Sequence, residues 1–333
     1  MTQRTTMGRF HLLLSLLFVL SHSALHAHDT RRFQSEGTTQ EGSGAVQASE
    51  EIRSGTASVV SVVGCKTAVR PESAGAAQKY FQLGGVQYRK GDLDGAIKQY
   101  SSAIKQDPCL AIAYHNRGNA QQRKGRFQEA IVDFDQALSV NPYLAEAFNN
   151  RGIVRRLLGE ADAAISDFSR AVELEPQYAA AYTNRGNAYR DKGNTGAAMA
   201  DFDRAIEIDP RSAPAYNNRG AARQEKGDLG GAMADYNRAI SLNPRLAQAL
   251  NNRGALRFEV KDITGALRDL DIAIAEDPNY ATAYMNRGIL RLLKGKKAEG
   301  EIDLARCLQL NPRLKTLVDE RLSQAKRIVN SGY

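Results

Sequence analysis

Seven prolines, Pro108, Pro142, Pro176, Pro210, Pro244, Pro278 and Pro312, stand 34 residues apart, every interval equal. Asn-Arg-Gly returns on the same period, beginning at Asn116, Asn150, Asn184, Asn218, Asn252 and Asn286. A fixed period of this length means stacked supersecondary units, because each unit buries its apolar face only against its neighbours. Composition agrees, since 333 residues with no Trp and 10 Phe hold no large aromatic core.

Each unit reads as helix-turn-helix. The first helix carries an aromatic or Leu (Tyr80, Tyr114, Phe148, Tyr182, Tyr216, Leu250, Tyr284) and a Gly four residues later, which places both on one face. Gly inside a helix costs about 1 kcal/mol relative to Ala, so its recurrence predicts a close crossing by the second helix at Ala96, Ala130, Ala164, Ala198, Ala232 and Ala266. A second Gly ends the first helix in six units, and Pro stops the second helix.

The Gly, Ala, aromatic, Ala and Pro positions across 77–314 resemble the tetratricopeptide repeat family. Lys261 departs from that pattern at the sixth turn Gly, and Gly300 replaces Ala in the seventh unit. The resemblance implies an all-α, right-handed superhelical solenoid of seven helix-turn-helix repeats (77–110, 111–144, 145–178, 179–212, 213–246, 247–280, 281–314). The apolar stripe Leu314, Leu317, Val318, Leu322, Ala325, Ile328 and Val329 predicts a capping helix within 315–333.

Upstream, Arg4 and Arg9 precede an apolar run at 12–20 and small residues through Ala27. That order predicts a signal peptide over 1–27, with Ser23 the other cleavage point and Met7 an alternative start. Export to a bacterial periplasm is expected ahead of full secretion, and the absence of an Asn-x-Ser/Thr sequon fits it. Residues 28–76, rich in Gly, Ser, Thr, Gln and Glu, are expected to form a disordered arm. Within it 56–63 has strand character, but a lone strand is not stable. Cys307 reads as a small core residue; the flexible arm leaves Cys65 able to reach back and bridge to Cys109.

Common catalytic constellations are missing. His115 is the array's only histidine, and no HExxH, CxxC or phosphate loop occurs, so neither an enzyme, a metal site nor a cofactor is expected. A net charge of +8 without long Lys/Arg blocks does not suggest nucleic acid, and nothing marks a small-molecule substrate.

Counting each unit from 77, 111 and so on places Gly at position eight, with positions four, seven and eleven beside it on the buried face. Positions two, five, nine, twelve and thirteen lie opposite, and six at their edge. Asn fills position six in units two to seven, where an amide both donates to and accepts from an extended peptide backbone. The row resembles the asparagine ladder of the O-linked N-acetylglucosamine transferase repeat domain. Asn116, Asn150, Asn184, Asn218, Asn252 and Asn286 are therefore the candidate peptide contacts; the competing account has them joining neighbouring repeats. Arg89, Arg123, Arg156 and Arg190 add a basic early groove and Met285 a late apolar patch, unless the capping helix covers it.

Position seven is Arg in units two to seven and position twenty-three is Asp, whereas the first unit has Leu83 and Gln99. Their joint absence there predicts an Arg–Asp bridge between the paired helices. A Lys at position five, which a carboxylate clamp requires, is absent. The expected function is an exported scaffold for a protein or peptide segment. A structural or self-associating envelope scaffold, or a regulator of a partner hydrolase, is the alternative.

Overall fold

The structure, a computed structural model, describes residues 71–330, with side chains from 72 to 327. The expected signal peptide, the strand-like stretch at 56–63, Cys65 and most of the arm lie outside the described residues. Fifteen α-helices and no strand make up the described chain. The helices are α1 (Pro71–Arg89), α2 (Leu93–Gln106), α3 (Ala111–Arg123), α4 (Phe127–Val140), α5 (Ala145–Leu157), α6 (Ala161–Leu174), α7 (Ala179–Asp191) and α8 (Thr195–Ile208). There follow α9 (Ala213–Glu225), α10 (Leu229–Leu242), α11 (Ala247–Glu259), α12 (Ile263–Glu276), α13 (Ala281–Leu293), α14 (Lys297–Leu310) and α15 (Lys315–Asn330). The helix α1 begins ahead of Ala77.

The chain divides into two compact units, one up to Ala188 and one from Tyr189, with the division inside α7. Within the earlier unit α1–α2, α3–α4 and α5–α6 form hairpins, and each packs on the next. Within the later unit the hairpins are α9–α10, α11–α12 and α13–α14. The first helices also touch one another directly, α1 with α3, α3 with α5, α9 with α11 and α11 with α13. That side-by-side row is the surface on which the candidate residues lie.

Local chemistry sets both turns of the repeat. The first helix closes on a left-handed residue with φ of 74–83° at Gly91, Gly125, Gly159, Gly193, Gly227 and Gly295. The next amide then reaches back to a carbonyl five residues earlier, as Asp92 N does to Gln87 O at 3.0 Å, satisfying a helix-end acceptor. Lys261 adopts φ 69° in the sixth repeat, the one non-glycine residue in that region among the described residues. At the other turn, the residue before each proline is driven extended. Except at Glu175, that residue is Asp or Asn and its side chain closes an Asx turn, as when Asp107 Oδ1 accepts from Cys109 N at 2.8 Å and Asn141 Oδ1 from Tyr143 N at 3.0 Å.

The position-eight glycines lie under the position-twenty-four side chain, a ring above Gly84, Gly118, Gly152 and Gly220 and a leucine above Gly254 and Gly288. At the last two the expected close crossing also shows, with the Ala266 and Gly300 carbonyls 3.2 and 3.0 Å from where a Cβ would stand. A Cβ on Gly118 would stand 2.7 Å from Phe134 Cε1, and one on Gly152 2.8 Å from Phe168 Cε1. The position-twenty alanines Ala130 and Ala164 are buried beside these rings, and the aromatic at position twenty-four fills the space above the glycine in these two repeats. Cys109 is disulfide-bonded to a partner outside the described residues, whereas Cys307 is free and fully buried.

Candidate partner-binding surface

Two polar systems join the repeats. The first is the predicted Arg–Asp bridge. Arg117, Arg151, Arg219, Arg253 and Arg287 each hold the position-twenty-three Asp of their own repeat through Nε and Nη2, at 2.6–3.0 Å. Two parallel charge-assisted bonds suit a carboxylate that burial has stripped of water. The remaining Nη1 crosses to position twenty-five of the preceding repeat: Ser101, Asp135, Asp203, Asn237 and Asp271 accept it at 2.6–3.0 Å. Sequence reasoning missed that third partner. It also missed a second cation on the buried Asp, supplied at 2.8–2.9 Å by Arg155, Arg223, Arg257 and Arg291 at position eleven. Each position-seven guanidinium lies over the position-four ring where that ring is aromatic, as Arg151 does over Phe148 at 5.3 Å. The lattice is architecture.

The second system contains the candidate residues. Position six donates across the repeat boundary to position five of the repeat before it. Asn184 Nδ2 donates to Asn149 Oδ1 at 2.9 Å, and Asn149 Nδ2 donates on to Asn150 Oδ1 at 3.0 Å. Asn150 Nδ2 ends the run on Asn119 Oδ1 at 2.8 Å and His115 Nε2 at 3.0 Å. In the later unit the run is Asn286 to Asn251 (2.9 Å), Asn251 to Asn252 (3.3 Å), Asn252 to Asn217 (3.0 Å) and Asn217 to Asn218 (3.1 Å). Every link between repeats points the same way, from donor to acceptor toward the preceding repeat.

Position five thus proves to be buried, where the helical projection placed it on the open face: His115, Asn149, Thr183, Asn217, Asn251 and Met285 are all buried. Adjacent first helices pack edge to edge and enclose it. At His115 burial lowers the imidazole to about 4, against a hydrogen bond with Asn116 that raises it. The ring is neutral at pH 7 and accepts from Asn150. Repeat identity at position five would have disclosed this wire, since three of its residues are amides.

The other candidates have distinct fates. Arg190 is ion-paired with Glu225 at 2.7 Å, and its side chain is only 2% exposed. Gln224 donates to Glu259 at 2.9 Å with the same offset, so position twelve reaches position thirteen of the next repeat. Arg123 sits over the Tyr88 ring at 4.8 Å on this rung. Arg89, which has no earlier repeat to meet, is exposed, and Arg156 is half-buried. Met285 does not belong to an open groove: it packs with Ile289, Cys307 and Leu314 against Val318 and Ala325 of α15. Asn116, Asn150, Asn184 and Asn252 remain half-buried, while Asn218 and Asn286 are buried.

Helical hairpins cross-linked by repeat-to-repeat polar bonds define a repeat scaffold, whose surfaces engage other proteins. The chain belongs to the tetratricopeptide repeat family. Models of that family match it at 84–125, 154–189, 186–227 and 224–261, at 111–144, and at 252–312. It is thus a protein–protein interaction scaffold, of a fold that is typically non-catalytic. A tetratricopeptide repeat protein from Parabacteroides merdae is similar with a TM-score of 0.63 and 24% identity, over 76% of this chain and 99% of that one. PilW, a type IV pilus biogenesis factor, is similar with a TM-score of 0.55 and 25% identity, over 61% and 94%. The APC/C assembly Cut9–Hcn1 has a TM-score of 0.63 at 18% identity, over 76% and 47%. No curated protein matches the sequence at significant similarity.

Proposed function

We propose that this chain is an exported scaffold that holds an extended protein segment along its row of first helices. The observation that carries the reading is the arrangement of the position-six amides. A carboxamide has two N–H donors and two acceptor lone pairs, and the wire uses only part of that capacity. At Asn184 that spare capacity lies on the oxygen. Thr183 donates its hydroxyl to the Ala179 carbonyl at 3.1 Å, so no neighbour at position five donates to the Asn184 oxygen. Amides already held in a row lose little freedom when a ligand backbone arrives, which favours binding. Exposed Arg89 gives the early end of the row a cation for an acidic residue of that segment.

Export rests on the signal-like order of residues 1–27 and on the disulfide at Cys109, which is expected in an oxidising compartment. PilW, as a pilus biogenesis factor, is a neighbour in keeping with envelope work.

Two substitutions break the same inter-repeat bond but differ on the surface. Asn184→Ala removes the amide offered to a ligand; Asn149→Ala removes its enclosed acceptor, together with the donor to Asn150, and leaves the Asn150 and Asn184 amides in place. Affinity capture from envelope fractions should lose a partner with Asn184→Ala and keep it with Asn149→Ala, at matched stability. Identical partners for both would exclude the amide row as the binding site. N-terminal sequencing of the mature chain checks export, with a start after Ala27 expected.

A further inference from the structure

From the second repeat onward, one stripe of each first helix is buried against the repeat before it. Position three is Ala in repeats two to seven and is fully buried in all six. Ala147 and Ala181 pack there on positions twenty-seven and twenty-eight of the preceding second helix. Position ten meets positions twenty and twenty-four, as Ala120 does Ala96 and Tyr100, and Val154 does Ala130 and Phe134. Position fourteen reaches position eighteen, where Lys124 forms an ion pair with Asp94. The first helix thus runs antiparallel to the second helix it receives. In α1 the same stripe is Lys79, Leu83, Val86 and Lys90, and no repeat precedes it among the described residues. Spaced by four, three and four, these residues share one face. All four are exposed, Leu83 by 41% and Val86 by 37%, and neither lysine has an ion-pair partner among the described residues.

We propose that this face of α1 is a second docking surface, separate from the amide row, which receives an amphipathic helix of a partner protein carrying a carboxylate on each side of an apolar pair. The two lysines set that chemistry. Lys90 holds the place of Lys124, whose partner Asp94 lies two residues ahead of the packed Ala96. Lys79 stands where later repeats bury an Ala, and an ammonium enclosed there needs a carboxylate opposite it. A further repeat of this chain's kind does not supply one, since position twenty-seven is Ala in repeats one to six and Cys307 in the seventh. A second copy does not fit either. Two α1 helices laid antiparallel on Leu83 and Val86 would set each Lys79 against the other's Lys90, like charge on like. The docked helix therefore reads Glu-x-Ala-x-x-x-Phe-x-x-Glu or its equivalent. Its apolar pair lies against Leu83 and Val86, its first carboxylate at Lys90 and its second at Lys79.

The test is fluorescence anisotropy on the full chain with two labelled helical peptides that share this apolar pair, one with Glu and one with Lys at both flanking positions. The Glu peptide should bind about tenfold tighter than the Lys peptide, and the difference should shrink in high salt. Lys79→Glu with Lys90→Glu should reverse the preference, which a chain that merely unfolds would not do. Leu83→Asp with Val86→Asp should abolish binding of both peptides, whereas Asn184→Ala, in the amide row, should leave both affinities unchanged. Equal affinities for the two peptides, or no binding of either, would overturn the proposal. So would a wild-type dimer that Leu83→Asp with Val86→Asp dissociates, because a second copy would then occupy the face.

Discussion

His115 is the one titratable side chain among the wire residues at position five. Asn149, Asn217 and Asn251 hold the equivalent place and are indifferent to pH. Burial brings the His115 ring from an ordinary 6.5 down to about 4. Between those values the unfolded chain binds a proton that the folded chain does not. Stability is therefore complete above about pH 6.5 and declines as pH falls toward 4, by an amount on the order of 3 kcal/mol at most. Urea unfolding of His115→Asn should lack this component while retaining the bond from Asn150. A second residue-scale prediction concerns the bridge. Arg219→Leu strands Asp235, whose remaining cation Arg223 does not replace a bidentate partner, and should cost about 3 kcal/mol. Adding Asp235→Gln to Arg219→Leu reproduces the Leu83 and Gln99 of the first repeat. It should recover most of the loss, as read by thermal unfolding.

At the scale of the element, the turn and the crossing set opposite demands on glycine. Lys261 carries a side chain in a backbone region where the other six repeats use Gly. Lys261→Gly should stabilise the protein by about 1 kcal/mol, measurable as a raised denaturant midpoint. Gly152→Ala should do the reverse. Its Cβ would meet Phe168 at 2.8 Å, and overpacking of that kind costs about 1–3 kcal/mol. Both glycine sets were legible from their period. The ring above position eight was not identified, because a helical projection shows which residues share a face but not which neighbour fills the space over them.

For the whole molecule, α15 is the element whose removal is most informative. Burial raises the Cys307 thiol to about 12, so in the intact protein it should resist a thiol reagent at neutral pH. Truncation after Leu314 uncovers Met285 and Ile289 and opens the packing around Cys307. Cys307 should then react readily, with dye binding to the newly exposed apolar surface; continued resistance would mean that α14 alone shields it.

Period, turn residues and amphipathic faces follow from bonds between near neighbours in the chain, so a repeated sequence prints them repeatedly. The tetratricopeptide hairpins, the capping helix and the Arg–Asp bridge were all readable on that basis. The partners of residues at the seam between repeats were not. Position six bonding to position five of the preceding repeat, the third acceptor of each position-seven Arg, the pairing of Arg190 with Glu225, and the cover over Met285 depend on how closely separate helices approach. That distance arises from side chains packing across the seam. Only the tertiary structure could decide which amides were already engaged and which retained capacity for a ligand.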